Sequence, residues 1–380
     1  MKRLFNIFLS LLIAASCIFS AGSSADQPVD MSGLKAAILV ESSSQQVILE
    51  HNSTASVDVA GLSRLPLLMV LCEAVDKGEL NLDSTVSVSE EASRVKGPTS
   101  FIEGGEQISA RDLMKSAIMI GAGDSIYALC ELYSGSDSAF CGRVNSRMQE
   151  LDINVNYTTC AETGVVLSAS DLMKVGCELI KSSCFKEYSS VYLDKLVHAN
   201  GTETQLASPN KLLKSYSGCD GIATGSSESA GYCGVFSVER GGTRLVGVVL
   251  GAASASERFE TAGKLFDYGF GSFKSVTLVK KDEVVASDVA IAGGDEKSVS
   301  LISSKDITLL LQQNEAPPQK VLDVPETISA PFSQGDVLGY LKIVDSTGTE
   351  LLKVELLADK TVDEASFKDF FIRILIEWLS

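Results

Sequence analysis

Histidine is nearly missing from the chain: its 380 residues contain only His51 and His198. A Ser-His-Asp triad needs one imidazole as base, yet His51 follows a strand-like run and His198 precedes Asn200-Gly201, so both read as surface or turn residues. No His-x-x-x-His or Cys-x-x-Cys spacing occurs, which argues against zinc catalysis, and neither metal nor cofactor is expected. Basic residues are also in deficit, with 32 Lys and Arg against 49 Asp and Glu for a net charge of −17. Phosphate contacts need clustered cations, so nucleic acid is excluded as a partner, and no polybasic segment draws the chain to an anionic membrane.

Long apolar runs are scarce too, and the first is at the start. Lys2 and Arg3 precede a mainly apolar run from Leu4 to Phe19 and the small residues Ser23-Ser24-Ala25, the pattern of a cleaved export signal over residues 1–25. Eight of the nine cysteines lie beyond it, at 72, 130, 141, 160, 177, 184, 219 and 233. An oxidising exterior permits disulfides, but Cys72, Cys130 and Cys233 fall in apolar patterns where a free thiol is a small core residue, and pairing is not readable from spacing.

Alternation marks Lys35 to Glu41 with Gln46 to Glu50 as one hairpin, and Gly231 to Val238 with Thr243 to Leu250 as another around Glu239-Arg240-Gly241-Gly242. Helical patterns fall between them near 65–77, 110–120, 124–134 and 169–182, the second opened by Ser109 with Asp112 three residues on. Pro66 is tolerated only in a first turn, so the first helix begins near Ser63 to Pro66. Strands flanking a helical middle give an α+β fold, an antiparallel sheet with a helical lobe. After Tyr268-Gly269-Phe270 the texture changes to short strands.

Several segments carry a family pattern: Ala60-Gly61-Leu62-Ser63-Arg64-Leu65, the run LNLDSTVSVS at 80–89, Gly104-Gly105-Glu106, LMKSAIMIGAGDSIYALCE at 113–131, Asn210-Lys211-Leu212-Leu213, Gly218 through Gly225, Ala230-Gly231-Tyr232-Cys233, and APFSQGDVLGYL at 330–341. Together they resemble the low-molecular-weight penicillin-binding proteins, the serine-type D-alanyl-D-alanine carboxypeptidases, over nearly the whole mature length. The resemblance implies a penicillin-binding, serine β-lactamase-like transpeptidase domain over 26–275 and a small β-sandwich over 276–361. A C-terminal amphipathic anchor over 362–380 completes the expected order.

The resemblance also implies three catalytic motifs, and each is broken. Gly61 stands where the nucleophilic serine of S-x-x-K belongs and Arg64 where its lysine belongs. Gly121 and Gly123 replace the serine and asparagine of the second motif, with Asp124 kept, and Ala223 replaces the lysine of the third, with Thr224 and Gly225 kept. Gly61 has no hydroxyl, and a guanidinium stays protonated at working pH. The reading is a catalytically inactive homologue that binds a peptidoglycan stem peptide or cell-wall proteins, with Arg64, Asp124, Thr224 and Gly225 as ligand-binding candidates. Arg64 could pair bidentately with a ligand carboxylate or with Asp124. The alternative is an active hydrolase using displaced serines, drawn from Ser63, Ser125, Ser226, Ser227 and Ser229.

At the tail, Phe367, Phe370, Phe371, Ile374, Leu375, Trp378 and Leu379 follow helical i, i+3, i+4 spacing, and Thr361 with Glu364 forms a capping-box pattern. Lys368, Asp369, Arg373 and Glu377 interrupt the run too often for a spanning helix of about 20 apolar residues. The expectation is an exported protein lying peripherally on the outer face of the cytoplasmic membrane.

Overall fold

The computed structural model describes residues 28–161, 164–367 and 371. The expected export signal lies outside them, as do Phe370, Ile374, Leu375, Trp378 and Leu379 of the expected anchor. The chain divides into two compact units, one built from residues 28–275 with 310–314 and the other from 276–309 with the residues from 315 onward.

The first unit is organised by a five-stranded antiparallel sheet. Its strands are β1 Ala36–Glu41, β2 Val47–His51, β3 Cys219–Ser227, β4 Gly231–Arg240 and β5 Thr243–Ala252, in the order β2-β1-β5-β4-β3. All six residues of β1 are buried, and their alternation explains why. Successive strand residues face opposite sides of a sheet, so Ala36, Ile38 and Val40 join one hydrophobic core while Ala37 and Leu39 join another. The second core closes on Leu265 and Phe266 of a long C-terminal helix. Across the sheet Ala36 pairs with Leu250, and Val235 with Ala223.

The first core is filled by helices α1 Leu65–Asp76, α2 Ala110–Ile120, α3 Gly123–Ser134, α4 Asp137–Glu150 and α5 Ala169–Leu179, and α6 Ala255–Ser272 covers the other face. Pro66 sits in the first turn of α1, behind a 3₁₀ turn at Ala60–Arg64, and Ser109 Oγ accepts from the Asp112 amide at 3.1 Å to cap α2. The expected α+β architecture is therefore present. Two of these six helices, α4 and α6, are additions to the sequence reading. For α6 a signal existed, since Ser254 Oγ accepts from the amide of Glu257, an S-x-x-E pattern; α4 is capped by Ser136, which accepts from Ala139 at 3.2 Å.

His198 needs a correction. It sits at a hairpin turn, but its side chain is buried, with Nδ1 2.9 Å from Glu106 Oε1 and Nε2 2.8 Å from Thr204 Oγ1. The imidazole is an internal tie, not a surface group.

The second unit holds a six-stranded sheet in the order 319–323, 337–344, 350–358, 298–303, 284–292, 327–329. Its core gathers Leu301, Leu341, Ile343, Val354, Leu356 and Val362. That core overturns the expected capping box. Val362 is fully buried and bridges to Phe332, Glu364 bridges to Gly294, and Thr361 Oγ1 accepts from the Gln334 amide at 2.9 Å. Burying the Val362 side chain in the β layer wins over a helix start at 362, and helical backbone is first described at Phe367. Among the described residues, no helix is long and apolar enough to cross a membrane.

Candidate functional site

The three segments read above as counterparts of the family's motifs lie where the Ala60–Arg64 turn, the α2–α3 junction and strand β3 meet. A side chain at Gly61 would have open space, with no atom within 4 Å of its Cβ position. Strand β3 backs directly onto this turn. A Cβ at Gly225 would stand 3.0 Å from the Gly61 nitrogen, so only glycine lets the two backbones approach this closely.

Arg64 does not face an open cleft. It is 4 % exposed, and its guanidinium is spent on main-chain carbonyls: Nη1 donates to Gly121 O at 3.0 Å and Pro98 O at 3.5 Å, and Nη2 to Lys96 O at 2.6 Å. Burial pulls its pKa below the ordinary arginine value, and attraction from Asp124 opposes that pull. The head group occupies the volume that a side chain at 123 would need. A Cβ on Gly123 would lie 2.5 Å from Arg64 Nη2 and 2.6 Å from Cζ. The glycine of the second motif and the arginine of the first are thus one packing solution.

Asp124 is kept for a structural reason that the sequence does not show. At 1 % exposed, its carboxylate accepts from the amides of Ser100 at 2.9 and 3.0 Å, Ser125 at 2.7 Å and Ile102 at 3.4 Å. A buried charge needs such partners. Arg64 and Asp124, offered by the sequence as ligand contacts, are both interior: Arg64 donates to main-chain carbonyls, and Asp124 accepts from main-chain amides and the Ser125 hydroxyl. Thr224 and Gly225 are half-buried on β3, the edge strand of the sheet, and Ala223 beside them packs partly against the core without any amine.

Gly121 ends α2 in the left-handed region, at φ 66° and ψ 34°. Its replacement by serine is expected to lower unfolding stability by about 1 kcal/mol through backbone strain alone, measured as a shift in urea midpoint at unchanged slope.

The displaced serines are scattered. Ser63 Oγ is buried with no hydrogen-bond partner among the described residues, and Ser125 Oγ is bonded to Ser100 Oγ at 3.0 Å and Ser116 Oγ at 2.7 Å. Ser226, Ser227 and Ser229 line a cleft of about 600 Å³ together with Lys35 and Tyr232. Ser229 Oγ donates to the Asp58 carboxylate. Burial pushes the Asp58 pKa up, but hydrogen bonds from Ser229 and Ala60 and the charge of Lys35 outweigh it and leave it below the ordinary value. A carboxylate so stabilised is a poor base for a hydroxyl.

Arg258 on α6 is a site residue that the sequence reading missed, because the helix carrying it was missed. It is buried, and its Nη1 donates to Gly225 O at 3.2 Å and Cys233 O at 3.1 Å, fixing β3 against β4. Burial lowers its pKa, which nearby Cys233 and Tyr232 partly offset.

Comparison with known proteins matches this arrangement. The family profile for D-alanyl-D-alanine carboxypeptidase covers residues 23–254, and that for the penicillin-binding protein 5 C-terminal domain covers 273–364. The chain is 29 % identical over 350 residues to the D-alanyl-D-alanine carboxypeptidase DacF of Bacillus subtilis, covering 90 % of each chain. It is 27 % identical over 374 residues to DacC of Escherichia coli, covering 94 % of this chain and 90 % of that one. The crystal structure of penicillin-binding protein 5 from Haemophilus influenzae superposes with a TM-score of 0.76 at 22 % identity, over 90 % of this chain and 100 % of that chain. With its first 232 matched positions exceeding half of the sequence, the chain belongs to the D-alanyl-D-alanine carboxypeptidase family.

Proposed function

We propose that this family member is catalytically inactive and serves outside the cytoplasmic membrane as a binding module for peptidoglycan stem peptides or cell-wall proteins. The observation that carries the reading is the interlock of Arg64 with Gly123: the base position holds a buried guanidinium bonded to carbonyls, next to a nucleophile position with no hydroxyl. Losing the nucleophile alone lowers turnover by about six orders of magnitude in a serine hydrolase. Binding needs less than cleavage does. Edge strand β3 with Thr224 and Gly225 offers main-chain groups to an extended peptide, and the relatives' activity as D-alanyl-D-alanine carboxypeptidases gives the D-alanyl-D-alanine terminus as the ligand class. For membrane attachment, Phe367 and Phe371 are 86 % and 55 % exposed, as an apolar surface anchor needs.

Radiolabelled penicillin and a muramyl pentapeptide test this reading. The purified protein is expected to take up no label and release no D-alanine, while binding the pentapeptide saturably. Stoichiometric acylation of one serine would overturn it. The second reading, an active hydrolase, rests on the contact of Ser229 with Asp58, and label mapped to Ser229 would establish it instead.

A further inference from the structure

We propose that Asp137, Cys141 and Cys160 form a binding site for a thiophilic divalent cation of the zinc type. Asp137 opens α4 and Cys141 follows one turn later, so both project from one helix face. Cys160 arrives from the loop after α4. Cys141 Sγ lies 4.0 Å from Cys160 Sγ and 3.8 Å from Asp137 Oδ1, and the three ligand atoms all fall within 4.8 Å of one another. Ligands held by one tetrahedral zinc, with bonds of about 2.3 Å to sulfur and about 2.1 Å to oxygen, stand about 3.5 to 3.8 Å apart. The observed gaps are therefore close to the edges of such a tetrahedron.

The surroundings suit a metal. Cys141 and Cys160 are buried free thiols, and Asp137 is part-exposed, which leaves an entry route. The Cys160 amide donates to Asp137 Oδ1 at 2.6 Å and so orients the carboxylate. A coordinating cysteine binds a metal as thiolate, so it releases its proton on binding. The loop carrying Cys160 also carries Tyr157, whose hydroxyl donates to Ser63 O at 2.6 Å, so the cation would brace the turn that bears Gly61.

The test uses the full chain, reduced with a phosphine and titrated with cobalt(II) as the spectroscopic probe. One equivalent is expected to give thiolate-to-cobalt charge-transfer bands and an intense tetrahedral ligand-field spectrum, both erased by zinc(II). Cys141→Ser and Cys160→Ser should each weaken binding by about a hundredfold or more, beyond what loss of an outer partner costs, and Cys177→Ser should leave it intact. Asp137→Asn preserves the acceptor for the Cys160 amide, so its folding is secure and its loss of affinity reads the ligand role directly. A featureless titration of the reduced protein, a spectrum indifferent to these substitutions, or a Cys141–Cys160 disulfide as the native state would each overturn the proposal.

Discussion

Gly61→Ser by itself leaves the protein unlabelled by penicillin and unable to release D-alanine. The side chain is accommodated, since nothing lies within 4 Å of its Cβ position, and the fold should hold to within about 0.5 kcal/mol. What is missing is a place for the proton. The neighbour one turn on is a guanidinium, which stays charged at working pH and already donates to the carbonyls of Lys96, Pro98 and Gly121. An unactivated hydroxyl is a weak nucleophile, so the variant should remain about six orders of magnitude below a working site. Fluorescent penicillin on a gel and an assay for free D-alanine read the outcome. Label on the introduced serine, with no second substitution, would show that some group here accepts the proton.

Gly123→Asn is the second large effect, on stability. The new Cβ would stand 2.5 Å from Arg64 Nη2 and 2.8 Å from Val95 Cγ1. Relief requires the guanidinium to withdraw from its three carbonyls. Overpacking of about 1 to 3 kcal/mol and a charged hydrogen bond lost at about 1.5 to 3 kcal/mol together give a loss of about 2.5 to 6 kcal/mol. Adding Arg64→Lys to that variant shortens the crowded side chain and should recover at least about 1 kcal/mol of it, a coupling that a double-mutant cycle in urea resolves. Additive effects would show that the two positions are independent.

The parts of this structure legible in the sequence are those governed by short-range pattern. Alternating residues and a Gly-Gly turn give the β4–β5 hairpin, and Pro66 marks the start of α1. The failed reading of Thr361 and Glu364 shows the limit of local pattern: a cap competes with burial, and Val362 belongs to a β core assembled from strands far away in sequence. Arg64 was legible as a substitution but not as an interior residue, because its carbonyl partners come from segments 32 to 57 residues distant. The thiol cluster hides for the same reason. Its members at 137, 141 and 160 share no metal-site spacing until helix α4 and the following loop bring them together.

The meshing of residue 64 with residue 123 also bears on reversal. A chain carrying this pair cannot take an asparagine at 123 in one neutral step, since that change first encounters a filled space. Residue 64 has to shorten first, so the geometry acts as a ratchet in which the order of the two changes matters.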